Sequence, residues 1–180
     1  EINVIRRGLN YGWPTVTFGR EYDGGPVGDG LTQAPGMEPP VFHYATSAAL
    51  TGIAFYTGSA FPQWRNNLFV GAMTPRFLAR LVVANGRVER EEKLLLEKKW
   101  RVRVVQTGPD GFLYLGVQRA SDGTGGVIAR VALETHRGHA FLLLDLGGRG
   151  QRERVVDAAR VAHGDAVAVD RGDQALDRAL

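Results

Sequence analysis

Two arginines separated by one residue, Arg101 and Arg103, have the spacing with the clearest chemical use in this sequence. Residues i and i+2 of a β-strand point to the same face of a sheet, so both guanidinium groups can reach one ligand. A guanidinium group binds a carboxylate through two parallel hydrogen bonds, which suits an anionic small molecule. The same Arg-x-Arg pattern on a half-exposed strand is also typical of a solvated surface. Both interpretations are open from spacing alone.

The other residues that could carry chemistry give weaker signals. None of the four histidines is a good catalytic base: His43 lies in an aromatic strand as a packed or rim residue, and the others lie in the C-terminal tail. His136 and His139 are close enough for a metal pair, but they lack carboxylate support. The absence of cysteine excludes disulfides, thiolate metal ligands and cysteine nucleophiles. No serine elbow, P-loop or HExxH motif is present.

Composition limits the partners of the chain. It has 180 residues, of which 44% are hydrophobic, as expected for one globular domain. The net charge of +3 comes mostly from arginines mixed with acids, without a lysine-rich run, so we expect no nucleic-acid partner. No apolar stretch approaches the ~20 residues of a spanning helix, so we expect no membrane span.

The elements that must position the two arginines are short β-strands. Gly and Pro punctuate residues 1–40, which predicts a surface loop kept in order by Tyr11, Trp13, Phe18 and Tyr22. Beyond it, β-branched and aromatic runs predict strands over 52–57, 67–72, 77–84, 87–96, 103–107, 112–117 and 126–133. Asn85-Gly86 predicts a type I′ hairpin turn, and Pro109-Asp110-Gly111 predicts a second tight turn. Residues 89–99 also have helical propensity, but their flanks favour a strand.

These strands repeat after about 50 residues, the period of propeller blades. Gly52-Ile-Ala-Phe, Asn67-Leu-Phe-Val and Leu78-Ala-Arg-Leu correspond to Val102-Arg-Val-Val, Gly111-Phe-Leu-Tyr-Leu and Ile128-Ala-Arg-Val. One blade cannot bury both faces of its sheet, and a closed ring takes about four to eight blades. We therefore predict an all-β chain that forms part of a propeller.

The tail, residues 136–180, differs in composition. It is dominated by Ala, Arg, Asp, Gly, Val and Leu, and its strand signals fade apart from an apolar run over 141–146. Residues 151–162 could form a short amphipathic helix. We expect an irregular tail, a linker or a frame-shifted sequence, separate from a domain over residues 1–135.

Five motifs occur in the order of a known family. The string Glu1-Ile-Asn, followed by Asn-Tyr-Gly-Trp-Pro14, precedes GREY, APGMEPP, FPQWRNNLFVGA and RVRVVQTGPDGFLYL. In these motifs the chain, from residue 1 to about 134, resembles the soluble aldose sugar dehydrogenases that use pyrroloquinoline quinone (PQQ), the glucose/sorbosone dehydrogenase family. The resemblance implies the last two or so blades of a six-bladed β-propeller.

The resemblance also implies a cofactor site. Arg101, Val102 and Arg103 match the strand whose paired arginines hold PQQ, which carries three carboxylates. The strand end Ala72-Met73-Thr74 matches a second cofactor contact, where the family usually has lysine in place of Thr74. Tyr22 matches a tyrosine that lies against PQQ. The family's aspartate after the arginine pair is Val104 here, and Gly116-Val-Gln-Arg differs from its usual Leu-Thr-Asp strand end.

By the same resemblance, Glu1 and Tyr11 match calcium ligands, since carboxylate and backbone or phenolic oxygens suit a hard cation. The implied reaction is oxidation of an aldose sugar to its lactone, with hydride transfer to the quinone and electrons passing to an external acceptor. The implied location is periplasmic or secreted. The catalytic base would lie upstream, so we expect no turnover from this chain alone. The alternative is a non-catalytic propeller that binds a protein or a carbohydrate.

Overall fold

A computed structural model describes residues 1–118, 126–136, 139–146 and 151–155. Its strands form two antiparallel sheets in which each strand pairs with the next along the chain. The first sheet contains β1 (Leu50–Phe55), β2 (Leu68–Ala72), β3 (Phe77–Ala84) and β4 (Arg87–Leu94). The second contains β5 (Arg101–Thr107), β6 (Leu113–Gln118), β7 (Gly126–His136), β8 (His139–Leu146) and β9 (Gln151–Val155). The two consecutive sheets confirm the all-β, blade-like organisation predicted from the repeat.

The connections between strands follow the predicted turn chemistry. Asn85 and Gly86 both have positive φ, 52° and 71°, as a type I′ turn requires, and they join β3 to β4. Gly111, with φ of 79°, closes the turn between β5 and β6 by donating its N–H to the carbonyl of Gly108. The helical alternative for residues 89–99 is wrong: β4 continues to Leu94, and only a three-residue 3₁₀ turn, Leu96–Lys98, follows it.

The tail is more regular than its composition predicts. Its apolar run lies in β8, which pairs with β7, and β9 pairs with β8 in turn. The helix expected over 151–162 is wrong for Gln151–Val155, which form a strand; residues 156–162 and His163 lie outside the described residues. Pairing with the edge of an existing sheet outweighed the weak helical periodicity, because a strand there satisfies its backbone groups immediately. Among the described residues the helical elements are three-residue 3₁₀ turns, so none of them could span a membrane.

An aromatic core joins the two sheets. β1 and β2 pack against β5, and the shared core contains Tyr56, Phe61, Trp64, Phe69 and Trp100 with aliphatic residues from β5, β6 and β7. The hydroxyl of Tyr56 donates to the carbonyl of Gly111, in the turn of the second sheet, and accepts the N–H of Phe61. This buried hydroxyl therefore ties the first sheet directly to the second.

Each sheet carries an arginine at the same place in the repeat. Arg80 of β3 is only 3% exposed; it binds Glu92 at 2.6 Å and Asn67 at 2.9 Å, and lies over the ring of Trp64. Arg130 of β7 is its counterpart in the motif Ala-Arg-Leu/Val. The two sheets thus share an arginine at equivalent positions as well as a similar backbone arrangement.

The N-terminal segment folds back on itself, and its two ends pack on the other face of the first sheet. Four bridges lie one inside the next: Ile2–Phe42, Asn10–Met37, Val16–Leu31 and Arg20–Pro26. Ile2 is buried with the apolar residues of β2 and β3. Of the aromatics expected to keep this loop in order, Phe18 stacks on His43 at 3.7 Å, but Trp13 and Tyr22 are exposed. The nested bridges, rather than those two rings, hold the segment.

Candidate functional site

Arg101 and Arg103 lie at the beginning of β5 with Gln118, the last residue of β6. Arg101 is paired directly with Gln118, and the Oε1 atom of Gln118 accepts two hydrogen bonds from Arg103, from Nε at 3.3 Å and from Nη2 at 2.9 Å. Directly paired residues of neighbouring strands point to the same face of the sheet. The three side chains therefore form one cluster at this end of the second sheet.

β5 reaches this arrangement through an irregularity that alternation alone does not predict. Its register shifts between Val102 and Val104, so Arg103 is the extra residue of a β-bulge. Val102 and Val105 are buried in the core, and the two residues between them are exposed. The carbonyl of Val102 accepts a hydrogen bond from Thr51 Oγ1 at 2.7 Å. Val102 thus separates the arginines, with its side chain in the core rather than in the cluster.

The strand end Ala72-Met73-Thr74 lies at the same end of the two sheets. Gly71, just before it, allows the carbonyl of Val102 to approach closely: a Cβ atom there would be 2.5 Å from that oxygen. Ala72 is fully buried, Met73 is half-buried and Thr74 is exposed. The structure therefore brings together the two segments that the sequence assigned to one cofactor.

An open groove of about 570 Å³ begins at Arg103 and Gln118 and runs over the outer face of the second sheet. Val104 and Ile128 line it and are 51% and 63% exposed. In the repeat, Ile128 corresponds to Leu78, which is completely buried between the two sheets. The groove thus joins a charged rim to an apolar floor.

Glu1, Asn3 and Tyr11 form a second polar group in the N-terminal segment. Asn3 Nδ2 donates to Glu1 Oε1 at 3.2 Å. The phenol of Tyr11 donates to the carbonyl of Val4 at 2.9 Å and accepts the N–H of Arg6 at 2.6 Å. The hydroxyl of Tyr11 therefore stabilises the loop. The backbone carbonyl of Tyr11 is the more available ligand for a cation.

Tyr22 is the sequence-predicted residue that stands apart. It follows the innermost bridge of the N-terminal segment, and its side chain is fully exposed. Among the described residues it makes no hydrogen bond or ring contact, so the structure does not bring it to the arginine cluster.

Two buried polar atoms indicate what these groups would hold. The Nε atom of Arg101 and the Oδ1 atom of Asn3 are both buried without a hydrogen-bond partner among the described residues. A buried unpaired donor on a cation fits an anion, and a buried unpaired amide oxygen beside a carboxylate fits a hard cation. No cluster of three or more His, Asp or Glu side chains suited to a metal occurs in the described part of the chain, so a calcium site would need amide and backbone oxygens.

The opposite end of the second sheet pairs its charges internally. Asp110 accepts a hydrogen bond from the hydroxyl of Tyr114 at 2.8 Å and lies 3.5 Å from Arg130. The Tyr114 hydrogen bond is the main cause of a lowered pKa of the Asp110 carboxyl, assisted by the N–H of Phe112 and by Arg130. The same hydrogen bond raises the pKa of Tyr114. The carboxylate of Asp110 therefore already has its partners among the described residues.

Gln118 and Asn3 are the residues that sequence reasoning missed. Asn3 lies in the Glu-Ile-Asn string, where its spacing from Glu1 is a usable signal. Gln118 is placed by the bulge: counting back from the turn without it would set Arg101 opposite Arg119. Only the observed register shows the contact between Gln118 and the arginines.

Comparisons with known proteins show which family the chain resembles. The family model described as Glucose / Sorbosone dehydrogenase matches residues 1–129. The aldose sugar dehydrogenase YliI of Escherichia coli (strain K12) is 38% identical over 122 residues, which are 67% of this chain and 33% of that protein.

Solved structures give the same result. A crystal structure of a glucose dehydrogenase superposes with a TM-score of 0.64 at 38% identity, covering 71% of this chain and 36% of that one. The apo form of the soluble aldose sugar dehydrogenase from Escherichia coli gives a TM-score of 0.61 at 35% identity, covering 70% and 36%. The chain spans about a third of the length of these relatives, as a partial β-propeller does. Family model, sequence identity and superposition together show that this chain belongs to the glucose/sorbosone dehydrogenase family.

Proposed function

We propose that the protein carrying this chain is a PQQ-dependent dehydrogenase that oxidises aldose sugars to lactones, and that this chain supplies the part of the site that binds the carboxylates of the cofactor. The observation that carries the proposal is the cluster of Arg101 and Arg103, with no acidic partner for either among the described residues. The family supplies the sugar dehydrogenase activity.

The arginine cluster fits a polyanion by charge and by geometry. Two guanidinium groups present up to ten N–H donors, of which two are used by Gln118. The buried Nε of Arg101 gains a partner only when an acceptor approaches it. Hydrogen bonds to a charged group are stronger than neutral ones, so carboxylates are the preferred acceptors.

Each predicted contact has a defined task in this proposal. Arg101 and Arg103 bind and orient the cofactor carboxylates, with Val102 as the spacer, and Met73 and Thr74 contact the cofactor at the neighbouring strand end. Tyr22 would have to move from its exposed position to lie against it. PQQ, when bound, supplies a two-electron acceptor for the hydride from the anomeric carbon.

Calcium is the second cofactor of the proposal. Glu1, Asn3 and the backbone of Tyr11 provide carboxylate, amide and carbonyl oxygens, which is the donor set of a hard cation. The general base is a separate requirement: His43 is stacked on Phe18, and the proposal places the base in a part of the propeller outside this chain. The sugar and an external electron acceptor are the proposed partners, and the proposed location is the periplasm or outside the cell.

PQQ titration of the chain, with and without Arg101→Ala or Arg103→Ala, tests the proposal. We expect each substitution to weaken PQQ binding by roughly ten- to a hundred-fold, the value of one hydrogen-bonded charge contact. Arg87→Ala, which removes an exposed arginine of β4, is the matched control and should leave the affinity unchanged. Equal affinity in all four proteins would overturn the assignment of the site.

A non-catalytic binding propeller is favoured by one observation: exposed Thr74 offers no cation at a position where the family usually has lysine. Dye reduction by the complete protein with glucose, PQQ and Ca²⁺ separates the two functions. Turnover establishes the dehydrogenase; PQQ or sugar binding without any turnover establishes the binding module.

A further inference from the structure

The partner of Arg103 is an amide, not an acid. A guanidinium group only donates hydrogen bonds, so Gln118 must turn its oxygen towards Arg103, and Oε1 accepts both bonds. This orientation turns the Nε2 amide group away from Arg103. Among the described residues nothing accepts a hydrogen bond from Nε2, although Gln118 lies on the wall of the 570 Å³ groove.

We propose that Gln118 is a positioning and specificity residue for the anion bound by Arg103: its oxygen holds the guanidinium group, and its amide N–H groups extend the row of donors towards the ligand. The inference rests on the proposed function, because the ligand it serves is the polycarboxylate of that site. Gln118 acts mainly through Arg103 and gives the ligand one neutral contact of its own.

A neutral partner of Arg103, such as glutamine, and a charged partner, such as glutamate, have opposite effects on the affinity for an anion. Glutamate at this position would hold Arg103 at least as firmly, since its oxygens accept the same two bonds with full charge. It would also neutralise the guanidinium charge and place a second acceptor where Gln118 has donors. The amide therefore fixes the geometry of Arg103 while leaving its positive charge to the ligand.

This difference allows a test that a merely structural role would not pass. Gln118→Glu and Gln118→Ala are titrated by calorimetry with two probes, PQQ and the plain planar tricarboxylate benzene-1,3,5-tricarboxylate, and thermal unfolding of each variant is recorded. Gln106→Glu is the matched control: it is the same change on the adjoining strand, where its paired position lies four residues along β6 from Gln118, about 13 Å away.

We expect Gln118→Glu to weaken both probes about ten-fold or more without lowering the unfolding temperature, and Gln118→Ala to weaken them about three-fold. Gln106→Glu should bind both probes as the unsubstituted chain does. Unchanged affinity in Gln118→Glu, together with loss in Arg103→Ala, would overturn the role of Gln118 and leave the proposed function intact. If tricarboxylate binding depends on Gln118 but no variant binds PQQ, the positioning role of Gln118 is supported and the assignment of PQQ as the ligand is overturned. Binding of neither probe would overturn both.

Discussion

At the scale of residues, the two ends of the second sheet treat their charges differently. Near Thr107 the carboxylate of Asp110 is satisfied by Tyr114, by the N–H of Phe112 and by Arg130. At the beginning of β5, Arg101 and Arg103 have no acidic partner in the described part of the chain. Charge that is paired inside the protein holds the fold, and charge that is left unpaired is available to a ligand.

The paired end predicts a pH dependence. The folded pKa of Asp110 lies below its unfolded value of about 3.9, so its contribution to stability is present above that pH and is lost as the pH falls through the folded pKa. Asp110→Asn should therefore be less stable than the unsubstituted chain at pH 6, and the difference should shrink towards pH 2. Urea unfolding across this range measures it. Asp29→Asn, at an exposed loop position, is the control; an Asp110 difference that stays constant with pH would contradict the assignment.

The residues of the candidate site were only partly predictable. A strand period of two does not account for their arrangement, since Arg103 is the extra residue of a bulge, but Arg101 and Arg103 could be found from the Arg-x-Arg motif. The partner Gln118 could not, because one extra residue in β5 changes every pairing beyond it. The cofactor role of the arginines remains a prediction, as do the roles of Tyr22, Glu1 and Tyr11.

At the scale of elements, a glycine sets how closely the sheets approach. Gly71 of β2 lies against the backbone of β5, where its missing side chain makes room for the carbonyl of Val102. The counterpart of Gly71 in the repeat is Gly116, which lies on the open face beside Val104. Glycine thus occupies equivalent positions in the two sheets: Gly71 faces the neighbouring sheet, and Gly116 faces the open groove.

Gly71→Ala tests this close approach. The added Cβ would lie 2.5 Å from the carbonyl oxygen of Val102, a backbone atom that cannot move without shifting β5. We expect a loss of about 1–3 kcal/mol in the free energy of unfolding, and weaker PQQ binding because the arginine strand moves. Gly126→Ala is the control, since a Cβ there meets only one atom, at 3.8 Å. Equal stability of the two variants would show that the sheets are not in close contact at Gly71.

The elements themselves followed from the sequence wherever turn chemistry and period agreed. Asn85-Gly86 placed the β3–β4 hairpin correctly, because a type I′ turn requires two residues of positive φ. The strand over Gln151–Val155 was missed, because its charged sequence has no period-two pattern and only the edge of β8 makes it a strand. The three outer bridges of residues 1–42 join positions that are 15 or more residues apart, too far in sequence for a local pattern to show.

At the scale of the whole molecule, the two sheets share one core. Rings from the first sheet and its connections lie against the aliphatic residues of β5, β6 and β7 in one hydrophobic cluster. Burial raises the pKa of Tyr56, whose hydroxyl remains a donor to Gly111 across the interface. The sheets should therefore unfold together rather than one at a time.

Tyr56→Phe measures the coupling of the two sheets. It leaves the carbonyl of Gly111 and the N–H of Phe61 without their partner, and we expect a loss of about 1–3 kcal/mol in the free energy of unfolding. Far-UV and near-UV circular dichroism should still follow one coincident transition, at a lower temperature. Tyr22→Phe, at a fully exposed position, should change nothing. Separate transitions for the two signals would show that the sheets are independent units.

The outer strand of the first sheet has a consequence for behaviour in concentrated solution. β4 reads Arg-Val-Glu-Arg-Glu-Glu-Lys-Leu, and most of its side chains are exposed or half-buried. A second strand that added to this edge would have to remove water from a row of charges of both signs. Among the described strands β4 pairs only with β3, and its charges protect its other edge from amyloid-like growth. We expect the tendency of the molecule to aggregate to reside on its apolar groove instead.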